Sequence, residues 1–245
     1  MAYTDIDKPL DHFETKIWTG NGSSQDISLD FAPDWNWIKQ RSATRYHNLQ
    51  DTIRGTGLQL FSNTTSADNS DGTNITAFNS DGYSLGAGDN VNKNTSTYVG
   101  WSWKAGGSAS SNSDGNITSS VSVNTTAGFS IVSYTGTGGG KTVGHGLGVA
   151  PRVFFMKNRG SADYNWSVWH ADLATPTTAR LGLNVATAQQ NHSSYWNDGV
   201  PSATILNLGS DAGHNANGDT YIAYCFAEKK GYSKFGTYEG SGIDD

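Results

Sequence analysis

The residue order of one half of this chain returns in the other half, and a chain assembled from a returning unit is constrained to fold as an array of like pieces. The first copy reads Ile17-Trp18-Thr19-Gly20-Asn21-Gly22, then Phe31-Ala32-Pro33, then Lys39 and Arg41. The second reads Ser133-Tyr134-Thr135-Gly136-Thr137-Gly138, then Val149-Ala150-Pro151, then Lys157 and Arg159. A third opens at Gly231-Tyr232 and reaches Tyr238 and Gly240. The period is about 115 to 123 residues, far longer than a solenoid repeat, so each unit is large enough for its own sheets. Register is kept inside the unit as well. Residues 97–104 match residues 220–227, with Val99, Trp101 and Trp103 on one face, as are Ile222, Tyr224 and Phe226. Side chains alternate across a strand, so this reads as one strand with a bulky face and a small, closely approached one. Leu85-Gly86 answers Leu208-Gly209, and Asn92 and Asn94 answer Asn215 and Asn217.

The pattern predicts an all-β fold of two tandem antiparallel β-sandwich repeats, jelly-roll or lectin-like in type. Residues 1–13 read as a polar N-terminal attachment arm unable to bury a face of its own. Repeat 1 spans 14–104, with strands expected at 15–18, 35–39, 46–51, 58–62, 83–85 and 97–104. Residues 105–127 read as a Gly/Ser linker, flexible over 105–115, with 117–123 as a candidate bridging strand. Repeat 2 spans 128–230, with strands expected at 130–134, 152–157, 166–170, 180–183, 204–208 and 220–226. Residues 231–245 read as the start of a third repeat.

Charged residues make up 16% of the chain, against about 25% in an ordinary globular domain, and strong helix formers are scarce, which leaves little material for long amphipathic helices. The balance of 16 basic and 22 acidic residues gives a net charge of −6 with no basic run, which argues against a nucleic-acid partner. No apolar run exceeds the length of one strand, so membrane insertion is not expected. The single cysteine, Cys225, aligns with Ser102 on the small face and is expected to be a buried, inert residue. The first ten residues lack the basic lead and apolar core of a secretion signal, so folding in a reducing cytoplasm is expected.

Several stretches imitate chemistry. Gly136 to Thr142 ends like a phosphate loop but has three residues between its outer glycines and no helix-forming sequence after it, so a hairpin turn is expected. The Asx-rich turns at 68–72 and 112–115 lack the leading acid and distal glutamate of a calcium loop. Histidines are scattered without metal-ligand spacing. No Gly-x-Ser-x-Gly elbow and no carboxylate pair appear, so neither catalytic residues nor cofactors are nominated. The ligand reading with most content is a sugar platform: Trp169, and Trp196 with Asn197 and Asp198, set flat aromatic faces beside amide and carboxylate groups. The competing reading places Trp166 and Trp169 in the core, aligned with Tyr46 and Leu49, and it weighs against Trp196 less strongly.

The run of Thr19-Gly20-Asn21-Gly22, residues 33–41, Asp51-Thr52-Ile53-Arg54-Gly55, residues 78–86 and 101–107, with Gly144-His145-Gly146-Leu147-Gly148 and residues 224–236, resembles an uncharacterised repeat family of bacteriophage tail-fibre and appendage proteins, notably from marine phages. The resemblance covers nearly everything after residue 14. It implies a non-enzymatic virion protein, assembled in the bacterial host cytoplasm. Residues 1–13 would dock on other tail proteins, and the repeats would form a homotrimeric stalk or host-adhesive surface. It also implies further copies after the third opening. The alternatives are a carbohydrate-binding lectin or adhesin acting on a host cell-surface glycan, and a capsid decoration protein or head fibre.

Overall fold

The structure is a computed structural model and describes residue 4 and residues 6–240. The first half runs β1 (Phe13–Thr19), β2 (Gln25–Ser28), β3 (Trp35–Gln40), β4 (His47–Asp51), β5 (Leu58–Phe61), β6 (Asn69–Ser70), β7 (Ile75–Asn79), β8 (Gly82–Leu85), the one-turn helix α1 (Asp89–Asn92) and β9 (Thr97–Trp103). The second half runs β10 (Ser110–Asn112), β11 (Ser119–Asn124), β12 (Phe129–Thr135), β13 (Lys141–Gly144), β14 (Val153–Asn158), β15 (Ser167–His170), β16 (Ala179–Gly182), β17 (Gln190–Asn191), β18 (Ile205–Leu208), α2 (Ala212–Asn215) and β19 (Thr220–Phe226). The fold is all-β and antiparallel, and every strand expected from the sequence is present within a residue or two. The strands that escaped notice, such as β2 with Ile27 as its one apolar residue, are too short or too polar to show alternation.

Two large sheets carry matching strand orders. The first is β1-β9-β3-β4-β5-β6, and the second is β10-β11-β12-β19-β14-β15-β16-β17, the same order with β10 and β11 added at one edge. A small sheet, β2-β8-β7, covers the outer face of the first, and the pair β13-β18 covers the second. Hydrogen bonds repeat with the strands. The Tyr98 hydroxyl donates to the Asp89 carbonyl and accepts from the Lys93 N–H, and Tyr221 does the same with Ala212 and Ala216, so each one-turn helix is pinned at both ends. Buried Asn92 accepts from the Asn21 N–H, and buried Asn215 accepts from the Thr137 N–H while donating to the Gly139 carbonyl. The paired asparagines and the Thr-Gly-x-Gly runs of the sequence therefore meet in space.

The two halves are stacked face to face. Trp35, Leu49 and Leu60 of the first large sheet share one core with Phe129, Ile131, Trp166, Ile222 and Tyr224 of the second. The Trp35 ring stacks on Tyr224 with centroids 4.2 Å apart. The bulky face of β19 thus packs on the other half, while the opposite faces of β9 and β19 meet the small sheets. That second face is small where backbone or rings come close: a Cβ on Gly100 would lie 2.7 Å from the Tyr83 hydroxyl. It is not small throughout, since Tyr98 and Tyr221 sit at its start.

Three expectations are corrected by this packing. Residues 105–115 are no flexible linker: Asp34 Oδ2 accepts from the N–H groups of Ala105 and Gly107, Gly106 donates to Ser122 Oγ, and β10 pairs with β11, the strand expected at 117–123. The described part of the leader does bury a side chain, Ile6, and Lys8 pairs with Asp11 and Asp30. Residues 1–3 and 5 of that arm lie outside the described residues. The glycine run at 136–140 is no hairpin, because β12 and β13 belong to different sheets. Residues 231–240 form no strand beyond an isolated bridge between Lys229 and Ser233, and residues 241–245 lie outside the described residues.

Candidate functional site

The sugar platform is dismantled by burial. Trp196 is 1% exposed and Trp169 3%. Trp169 stacks on Phe154, which meets Trp196 edge-on. Both indole N–H groups are spent on main-chain carbonyls, Trp196 on Ala179 at 2.7 Å and Trp169 on Pro176 at 2.8 Å. Neither ring has a free face for a sugar. Asn197 and Asp198 are exposed but form a tight turn, each with φ of 51°, and the aromatic partner that gave them meaning lies inside.

Beneath Trp196 lies a cluster that no sequence motif announced. His214 Nε2 is 2.8 Å from Ser167 Oγ, and its Nδ1 is 3.6 Å from Asp211 Oδ1, the order of a hydrolase triad. Ser167 and His214 are nevertheless fully buried, Arg180 also donates to Ser167 Oγ, and the Trp196 ring lies 4.4 Å from the imidazole. A nucleophile needs an open side for its substrate, and this arrangement has none; it packs a core. Desolvation lowers the His214 pKa to about 4, against the pull of Asp211, so the ring is neutral near pH 7. Only the Asp211-x-x-His214 spacing on one helical turn could have hinted at it.

The seam between the halves holds the densest charge. Arg54 is fully buried; it donates to Asp51 at 2.6 Å, Asp68 at 3.1 Å, the Leu49 carbonyl at 3.0 Å and the Tyr224 hydroxyl at 3.1 Å. Tyr224 donates in turn to Asp51, and Arg159 from the second half grips Asp68 at 2.7 Å. Burial works against the guanidinium charge, but Asp51, Tyr224 and Asp68 outweigh it and raise its pKa. Asp68 is thereby occupied by two arginines, and Asp71 accepts from its neighbour Thr73, so the calcium-like turn at 68–72 is an ordinary Asx turn beside an ion-pair network. Among the described residues no group of three His, Cys, Asp or Glu could hold a metal.

Between the two large sheets there is also a cavity of about 370 Å³. Its walls come from both halves and include Phe13, Trp37, Trp103, Phe155, Phe226 and Phe235, with no charged side chain among them. Tyr232 and Phe235, from the stretch read as a third opening, close one side.

A family model for a domain of unknown function (DUF7483) matches residues 8–245. The chain belongs to this family. No curated protein and no solved structure matches it. The matched span takes in both halves, the linking strands and the C-terminal stretch, so the DUF7483 unit includes the whole four-layer stack and the cavity within it.

Proposed function

We propose that this DUF7483 protein is a non-catalytic structural block of a bacteriophage tail fibre or tail-associated appendage, contributing to host-surface adhesion through its outer faces. The observation that carries this reading is the seam: the two large sheets are locked face to face by a shared aromatic core and the Arg54 network. A body of that kind transmits load between its ends rather than opening around a substrate, and the triad-like cluster is sealed. The likeness of the Thr-Gly-x-Gly, Asp51-to-Arg54 and Trp101-to-Trp103 motifs to phage appendage repeats gives the setting. Virion location, a homotrimeric state and docking through residues 1–13 belong to the same proposal.

Gold-labelled antibody against the purified protein, applied to intact particles, is the test. Label on the tail, together with a trimer in light scattering, is expected; label on the head would favour a decoration protein or head fibre. A monomer with no affinity for particles lacking it would end the structural reading.

A further inference from the structure

We propose that the open depression where β3 turns into β4 is a binding site for a small organic oxyanion, a phosphate or carboxylate carried on a hydroxylated body. The depression measures about 710 Å³, and its walls bring Lys39, Arg41, Arg45 and His47 together with Thr44 and Asn63. Among the described residues no carboxylate lines it. The chain as a whole has a net charge of −6, so a turn lined by basic side chains alone is a local reversal of sign. Arg45 pairs with Asp89 at 3.0 Å, but Lys93 faces the same carboxylate at 3.9 Å, and the Arg45 side chain stays 38% exposed. One carboxylate divided between two cations leaves positive charge in excess. Such a site goes beyond a structural role and would bind its ligand whether or not the chain sits on a particle.

The second half shows what the same positions do when they serve packing. Lys39 and Arg41 correspond to Lys157 and Arg159. Each lysine ties down the loop that follows it through two carbonyls: Lys39 donates to Gln40 at 2.6 Å and Ala43 at 3.2 Å, and Lys157 to Asn158 at 2.7 Å and Ser161 at 3.3 Å. The arginines then part company. Arg159 is neutralised by Asp68 at 2.7 Å and held by Ser133 Oγ at 3.3 Å. Arg41 is exposed; its main-chain N–H donates to the Thr97 carbonyl, and its guanidinium has no partner among the described residues. That free fork matches the paired oxygens of a carboxylate or phosphate. Lys39 has a third ammonium proton to give, and Asn63, whose Oδ1 accepts from the His47 N–H, keeps its amide protons for a ligand hydroxyl. Gln40 and the Thr97 N–H both donate to Ser42 Oγ, so the loop is set before anything binds and little order is lost on binding. A nucleic acid needs a longer positive track than one turn supplies.

The probes are the terminal phosphate ester of glucose and glucuronate, titrated calorimetrically into the full chain at low ionic strength, with glucose and inorganic phosphate beside them. Saturable one-to-one binding of at least one sugar acid is expected, the tighter of the two showing whether phosphate or carboxylate is preferred, with inorganic phosphate weaker and glucose not bound. Exposed charges are screened beyond about 8 Å at physiological salt, so affinity should fall as sodium chloride is added. Arg41→Gln should weaken binding by about tenfold or more and leave the unfolding midpoint in place, because its guanidinium makes no bond that holds the fold. Lys234→Gln, which removes an exposed cation from the C-terminal stretch, should leave binding unchanged. In proton NMR the His47 ring signals should move with the ligand. Burial and the Lys39 ammonium lower the His47 pKa, and an anion beside them should raise it. No saturation with either sugar acid, equal binding of glucose, full-strength binding to Arg41→Gln, or tighter binding of a single-stranded DNA oligomer overturns the site. Equal binding of inorganic phosphate overturns the part given to the hydroxylated body.

Discussion

The indole N–H of Trp166 donates to the main-chain carbonyl of Phe61 at 2.9 Å, a bond that crosses from the second half of the chain to the first. It lies inside the shared core, where Trp166 stacks near Tyr224. Two sandwiches joined by a loose tether would melt separately, whereas halves sharing a core lose it together. One cooperative transition is therefore expected in calorimetry, with calorimetric and van't Hoff enthalpies equal. Trp166→Phe should lower stability by about 1–3 kcal/mol, since the Phe61 carbonyl then keeps only the long 3.4 Å bond from the Thr64 N–H. Two resolved transitions in the parent protein would contradict the stacking.

Removing one partner from the Arg54 network leaves opposite charge stranded in the seam. Arg54→Met should cost about 3–5 kcal/mol, read from denaturant midpoints at constant slope. A buried pair is dear mainly when it is broken, so Arg54→Met combined with Asp51→Leu should be less damaging than the sum of the single changes. Strict additivity of the two would show that they do not act as a pair.

How much of this was written in the residues varies from place to place. The strand shared by Ser102 and Cys225 was legible because its alternation is regular; both side chains are buried, and burial raises the Cys225 thiol to about 12. Trp169 on β15 was harder. Pairing sets Trp37 opposite Leu49 and Phe155 opposite Val168, so Val168 takes the place of Leu49, and Trp169 that of Gln50. The alignment of Trp169 with Leu49 was one residue out, because loops of unequal length separate the paired strands and nothing in the sequence marks where the extra residue goes. A one-residue slip changes the face of every side chain. The core reading was weaker for Trp196 because it lies among turn residues, yet the loop that carries it folds under the sheet and its indole donates to the Ala179 carbonyl. Face-to-face stacking left no signature at all, since a bulky strand face looks the same whether it packs on its own sandwich or on another half.

Asn92 and Asn215 offer a test of independence. Each is buried and each ties a glycine-bearing loop to the end of a one-turn helix. Replacing either by alanine should destabilise the protein by about 1–3 kcal/mol, because main-chain groups lose their partner in a dry site. They share no partner, so the double variant should equal the sum within about 0.5 kcal/mol. A large deviation in urea unfolding would mean that the two loops communicate through the seam.

Acid sensitivity should trace to His214. Its ring faces Ser167 Oγ, the Asp211 carboxylate, the Arg180 guanidinium nearby, and the rings of Tyr195 and Trp196. Burial lowers its folded-state pKa to about 4 from an ordinary 6.5. Between those values the unfolded chain binds a proton that the folded chain refuses, so stability falls as pH drops through this window and is fully present above it. One such proton contributes a slope of up to about 1.4 kcal/mol per pH unit. His145, also lowered by burial, adds to the slope in the same direction. His214→Gln can still bond Ser167 but cannot take up the proton. It should therefore flatten the curve of unfolding free energy between pH 6.5 and 5 relative to the parent, leaving the share due to His145, His47 and His12, which burial also lowers. An unchanged slope would mean that His214 is reached by water in the folded protein and titrates near its usual value.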